Sequence, residues 1–321
     1  MESFIRTDDL SMTGGSPIIG APLGGIVYQG IGEYAGHLDT ELGVVDDSWG
    51  EFRFVRGKER QVFWTRNVWL EPFRLEFGSI SEAAAALRSV QRNWAPSLFT
   101  QFRRGELIKA KLPPITDKPR SFPWLVPDAP MGAWTLLDEH TLIGSARCAS
   151  PFPGGIVEFT EDKEGPPSRA YLKVQEALVR ARTFPKPGER CIDAGATPGG
   201  WTWVLAGLGA RVTAIDRASL DERVLAMDGV EYLKHDAFTL APEELGPTDW
   251  LFSDVICYPE RLYAWIERWL SSGLCRNFIC TLKMQGEPDW ETIRRFAAIQ
   301  GSTVVHLCAN KHELTWIRIG K

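Results

Sequence analysis

The second half of this 321-residue chain reads as a doubly wound α/β sheet, and the first half as a smaller α+β domain. Three features predict this. From residue 168 onward, short apolar strand patterns alternate with helical ones. A glycine-rich turn, Gly195 to Gly200, lies where the first of those strands meets a helix. An acid then stands at or near the end of each of the next three strands: Asp216, Asp236 and Asp254. A doubly wound sheet opens its ligand crevice at the carboxyl ends of its strands, so a turn and acids there share one site. The length fits about two domains. With 44% hydrophobic and 24% charged residues the composition is that of a globular chain, not a disordered one.

The elements of the first half are predicted as follows. Residues 1–22 are polar and rich in glycine and proline. GGIVYQG (24–30) is a strand, and residues 31–42 form a helix with Ile31, Tyr34, Leu38 and Leu42 at helical spacing. GEFRFV (50–55) and WLEPFRLEF (69–77) alternate like strands. Ser81 can cap a helix running to about Trp94, which places Arg88 and Arg92 on one face, four residues apart. Strands follow at PWLVP and AWTLL. This order suggests a ferredoxin-like α+β domain over residues 1–149. Residues 150–167, SPFPGGIVEFTEDKEGPP, read as a linker to a second domain spanning 168–321.

In the second domain a helix is predicted at 168–183. Strands fall near 190–194, 211–215, 230–234, 249–255, 277–283, 303–308 and 313–319. Helices fall near 200–209, 218–226, 259–271 and 288–300.

Charge is unevenly placed. The net charge is −5, yet residues 53–120 hold 14 basic and six acidic residues, interleaved with Phe63, Trp64, Trp69, Phe73, Trp94, Phe99 and Phe102. Such a block suits phosphate contact with base stacking; a solvated face balanced by acidic neighbours is the plainer reading. No run approaches 18 uninterrupted apolar residues, and the N-terminus, MESFIRTDDLSMTGG, lacks a basic stretch followed by an apolar one. A cytoplasmic monomer without a membrane span is expected. The six cysteines form no CxxC pair and read as buried thiols; no metal site is predicted, and the five histidines are scattered.

The sharpest motif is Cys191-Ile192-Asp193-Ala194-Gly195-Ala196-Thr197-Pro198-Gly199-Gly200-Trp201-Thr202. It departs from the dinucleotide pattern G-x-G-x-x-G, because Thr197 occupies the place of the second glycine. An acid-lined crevice would repel a pyrophosphate but suits a sulfonium and an ammonium group. That points to S-adenosylmethionine.

DAGATPGGWT, SRAYLK, SDV, TLKM and HELTW together resemble the FtsJ-type 2′-O-ribose RNA methyltransferases, and within them the RlmM-type enzymes that act on large-subunit ribosomal RNA. The likeness runs over about residues 145–321 and is weaker before them, where that family carries a THUMP-like RNA-binding module. It implies a Rossmann-like methyltransferase domain, S-adenosylmethionine as cofactor, and ribosomal RNA as partner, with a cytidine ribose as a candidate target. The family's Lys-Asp-Lys-Glu tetrad falls on Lys173, Asp254, Lys283 and Glu313. Its cofactor contacts fall on Gly195, Pro198, Gly199, Trp201, Asp216, Asp236 and Asp254. A ribose hydroxyl is a very weak acid and needs a base and a stabilised alkoxide; Lys283, as a free amine, is placed to be that base. RNA contacts are expected at Arg88, Arg92, Arg103, Arg104, Arg169 and Arg180.

Three rivals remain at this level. Base methylation at cytosine C5 needs a nucleophilic cysteine, and Asp254-Val255-Ile256-Cys257 lacks the Pro-Cys pair; an amino-group enzyme would show D/N-P-P-Y/F where this chain has DVICYPE. A non-catalytic RNA-binding or ribosome-assembly protein could keep the fold. A small-molecule methyltransferase would have no use for the basic block.

Overall fold

The computed structural model describes residues 20–320, organised by three sheets. The first half builds two of them. The strands Gly25–Gln29, Asp47–Trp49, Phe52–Arg56 and Asn67–Trp69 form an antiparallel sheet in the spatial order 47–49, 52–56, 25–29, 67–69. The helix Ala35–Leu42 covers one face, where Leu38 and Leu42 bury against Ile26, Tyr28, Val55 and Val68. The other face, with Val27, Phe52, Phe54 and Trp69, packs on Ala133 and Ile143 of the second sheet. That sheet runs in the order Ala21–Pro22, Phe73–Glu76, Thr141–Ser145, Gly132–Leu136, Trp94–Pro96. Its far side carries the helices Ile80–Val90 and Phe102–Lys109. The first half is therefore α+β, but with two sheets where the sequence suggested one ferredoxin-like layer.

Three local expectations fail for identifiable reasons. WLEPFRLEF is two strands, because Pro72 has no N–H for a ladder and the chain changes sheets there: Trp69 pairs in the first sheet, Phe73 in the second. The helix after residue 79 ends at Val90, not Trp94, and is capped by Ser79 rather than Ser81, the Ser79 hydroxyl accepting from the Glu82 N–H. Gln91 turns extended so that Trp94 can bury at the sheet edge, its indole N–H donating to the Leu87 carbonyl at 2.8 Å. Burial of an indole outweighs one further helical turn. PWLVP is irregular; Phe122, Trp124 and Val126 pack onto the second half instead. Strands at 47–49 and 141–145, and the helix Phe102–Lys109, were not legible in the sequence.

The second half is a seven-stranded sheet in the order Val230–Lys234, Arg211–Asp216, Arg190–Ala194, Thr248–Ser253, Cys275–Lys283, Glu313–Arg318, Ser302–Val305. Glu313–Arg318 runs opposite in direction to the other six strands. All seven predicted strands are present. Helices Tyr171–Ala181 and Gly200–Gly207 cover one face over Phe252 and Ile279; Pro259–Ser272 and Trp290–Ala298 cover the other over Leu251, Cys280 and Trp316. Apolar side chains on both faces of the strands are what a sheet clothed on both sides requires. Residues 150–167 lie against this domain, with Phe152, Val157 and Phe159 in its core.

The two halves interlock. Phe63 and Trp64 insert into the second half's core, where Trp64 is fully buried against the rings of His306 and His312. Arg66 donates to the Cys308 thiol at 3.3 Å. Among the described residues no helix is long and apolar enough to cross a membrane. The cysteines are free thiols, four of them buried and Cys148 and Cys308 half-buried.

Trp64→Ala empties an indole-sized space at this junction. It is expected to cost about 3–5 kcal/mol in urea denaturation; a loss under about 1 kcal/mol would show that the junction is not part of the cooperative core.

Candidate active site

A crevice of about 470 Å³ opens at the carboxyl ends of the parallel strands, lined by the glycine turn, Asp193, Asp216, Asp236, Asp254 and Lys283. The turn follows Arg190–Ala194 and opens the helix Gly200–Gly207. Gly195 (φ +77°) and Gly199 (φ +110°) take left-handed conformations that disfavour a side chain. A Cβ on Gly195 would stand 2.8 Å from that of Val255. Asp216 holds the turn from the neighbouring strand: one carboxylate oxygen accepts from the Thr197 N–H at 3.0 Å, the other from the Ala218 N–H at 3.0 Å. Trp201 is buried behind the turn and donates to the Ala170 carbonyl at 2.9 Å, which ties the turn to the helix bearing Lys173. Asp236 caps a short turn by accepting from the Phe238 N–H, and Arg261 lies 4.7 Å over the Phe238 ring.

Asp193 is fully buried, with the Thr202 hydroxyl donating to it at 2.6 Å. Burial pushes its carboxyl up to about 7, and the nearby charges of Asp254 and Asp216 add to the rise. Sequence reasoning saw Asp193 as an acid behind the turn; its hydroxyl partner lies one helical turn into the next element and follows no spacing rule.

Lys173, Asp254, Lys283 and Glu313 meet at one end of this crevice. The Lys173 ammonium donates to both Asp254 oxygens at 2.7 Å and to Glu313 Oε1 at 3.1 Å. Lys283 Nζ pairs with Asp254 Oδ1 at 3.2 Å. The positions follow from topology. Lys173 sits in the first turn of Tyr171–Ala181, Asp254 directly follows a strand, and Lys283 and Glu313 are register partners at the ends of two antiparallel strands. Lys173 and Glu313 are buried, whereas Lys283 is 19% exposed and faces the crevice. Two ammonium and two carboxylate groups balance each other's charge, which a site this dry requires.

The crevice fits S-adenosylmethionine on its own chemistry. The acids suit ribose hydroxyls and cationic groups, the helix N-terminus at Gly200 favours a carboxylate, and the buried Ser168 hydroxyl on the crevice wall has no partner among the described residues. Ser168 carried no signal in the sequence. The thiols offer no nucleophile: burial pushes Cys257 up to about 11 and Cys280 well above the ordinary range.

The basic block is less available than its composition suggests. Phe63, Trp64, Trp69 and Trp94 are core residues, Phe73 and Phe99 are half-buried, and of the seven aromatics only Phe102 stands exposed. Arg92 lies beyond the end of its helix, so it does not share a helical face with Arg88. Arg88, Arg92 and Arg103 are exposed. Arg104 is half-buried against the Phe77 ring. Arg169 is exposed and paired with Glu161. Arg180 is committed to Glu176 at 2.8 Å and stacks on Phe152 at 5.0 Å.

A doubly wound sheet with one antiparallel strand, a glycine turn and an acid-lined crevice defines an S-adenosylmethionine-dependent methyltransferase domain. Residues 166–279 match the model of the FtsJ-like methyltransferase family. The chain is 34% identical over 223 residues to "Ribosomal RNA large subunit methyltransferase M" of Xanthomonas axonopodis pv. citri, covering 67% of this chain and 60% of that protein. It is 40% identical over 155 residues to the protein of the same name from Azoarcus sp., covering 46% of this chain and 42% of that one. The chain thus spans about 60% of the length of the first of these relatives.

Because Asp193 takes up a proton on folding that the unfolded chain releases near pH 4, its contribution to stability falls as pH rises from about 4 to about 7. Wild type should lose up to about 4 kcal/mol over that window relative to Asp193→Asn, read by denaturant titrations. Parallel pH profiles would contradict the burial account.

Proposed function

We propose that this chain methylates the 2′-hydroxyl of a ribose in RNA, with large-subunit ribosomal RNA as the substrate class and a cytidine ribose as a candidate target. The observation that carries the reading is the convergence of Lys173, Asp254, Lys283 and Glu313 beside the crevice. Bound S-adenosylmethionine supplies an electrophilic methyl group on a sulfonium. Gly195, Pro198, Gly199, Trp201, Asp216, Asp236 and Asp254 are the proposed cofactor residues.

The chain's own groups divide the remaining work. Lys283, the less buried of the two lysines, accepts the proton of the ribose hydroxyl in its free-amine form. Lys173 fixes Asp254 and Glu313 through three hydrogen bonds and sets a positive charge beside the oxygen that becomes anionic. Asp254 touches both lysines and fixes their separation. Holding hydroxyl and methyl in line is the larger part of the effect. Residues 1–149 are the proposed RNA-binding domain, residues 150–167 its connection, and residues 168–321 the methyltransferase domain. Arg88, Arg92 and Arg103 give the first half exposed cations for phosphate, with Arg104, Arg169 and Arg180 in supporting positions.

Lys283→Ala is expected to lower methyl transfer to RNA by about 100-fold or more while S-adenosylmethionine affinity by calorimetry stays within about twofold. An active Lys283→Ala protein would remove Lys283 as the base. Reversing Arg88, Arg92 and Arg103 to glutamate should weaken RNA binding and flatten its dependence on salt; an unchanged salt slope would place the RNA track elsewhere.

A further inference from the structure

Three of the five histidines, scattered in the sequence, come together next to the tetrad. His37 from the first half and His312 from the second stand with their Nε2 atoms 3.0 Å apart and their rings stacked at 5.0 Å. Tyr34 stacks nearly parallel to both, 5.9 Å from His37 and 5.7 Å from His312, each at an 11° interplanar angle. Trp64 and the buried His306 lie against these rings, each tilted by about 40–60°.

The cluster has two layers. Trp64 and His306 are buried and join the halves of the molecule. Tyr34, His37 and His312 are half-buried. Their position is tied to the active site. His312 immediately precedes Glu313, and its carbonyl accepts from the Met284 N–H, the residue after Lys283. Burial first, then the charge and hydrogen bond of Glu33 and the charge of Glu313, push the Tyr34 phenol up.

We propose that Tyr34, with His37 and His312, forms a stacking face for the base of the nucleotide whose ribose meets the tetrad. This rests on the ribose-methylation reading above. A nucleotide drawn out of a strand to present its 2′-hydroxyl loses its stacked neighbours, and aromatic or imidazole faces are what proteins offer in exchange. Here the half-buried Tyr34 ring, which stacks on His312 beside Glu313, comes from the first half of the chain. On this account the first half does more than dock RNA at a distance: it supplies a wall of the substrate site. Stacking tolerates any base, so the face orients the target nucleotide and leaves its identity to other contacts.

The test uses the full chain and protein-free large-subunit ribosomal RNA transcribed in vitro, with initial rates of radiolabelled methyl transfer measured as RNA is varied. Tyr34→Leu keeps apolar volume but removes the π-face; Tyr34→Phe keeps the face and removes the hydroxyl. Tyr34→Leu should raise KM for RNA by about tenfold with S-adenosylmethionine affinity and melting temperature unchanged, and Tyr34→Phe should restore KM to near wild type. Wild-type KM in Tyr34→Leu overturns the stacking face, as do equal losses in both variants. A Tyr34→Leu loss that comes with weakened cofactor binding also overturns it, since the ring would then be only structural. A wild-type chain that transfers no methyl to any RNA instead removes the functional reading, and this proposal with it.

Discussion

A single buried ammonium organises the active site. Lys173 reaches from the first turn of its helix to Asp254 on one side and Glu313 on the other, and without it two carboxylates would face each other in a dry pocket. Burying an unpaired charge costs several kcal/mol, so each of these groups is tolerated only because the others are present. The arrangement also fixes relations among elements remote in the chain. The helix from 171, the strand ending at 253 and the antiparallel pair 275–283 and 313–318 must all keep register for the four side chains to meet. Lys283, bound to this set through one contact with Asp254, lines the crevice together with that carboxylate. The two lysines thus differ in burial, Lys173 being 8% exposed and Lys283 19%.

The crevice is shaped by a second constraint, the need to bring backbone close to a ligand. Gly195 and Gly199 adopt left-handed conformations there, and Asp216 fastens the turn by accepting from the Thr197 N–H while its other oxygen accepts from the Ala218 N–H. Those bonds leave its carboxylate further lone pairs toward the crevice. Burial pushes the Asp193 carboxyl behind the turn up to about 7, which weakens its negative charge at the crevice.

The second half was legible because a sheet clothed on both faces writes itself as apolar runs separated by helices, and each run from 190 to 318 became a strand. Lys173, Asp254, Lys283 and Glu313 could be named from short motifs, but not their difference in burial, which depends on packing across 140 residues. The first half was read less well. Proline 72 splits one apolar stretch between two sheets, and Trp94 leaves a helix to fill a sheet edge. Its aromatics looked like a stacking surface beside basic residues, yet Trp64, Trp69 and Trp94 are core. Tyr34 and His37 gave no sign of their place, because their partner His312 lies 275 residues beyond His37.

The position of the transferred methyl tests the account most directly. RNA labelled by this protein with radioactive S-adenosylmethionine can be hydrolysed in alkali, which cleaves through a free 2′-hydroxyl and spares a methylated one. The label should appear in alkali-resistant dinucleotides and stay with the sugar when the base is removed. Label found in mononucleotides and retained on the free base would contradict the account, because the proposal assigns the four groups to a ribose hydroxyl and gives them no part in methylating a base.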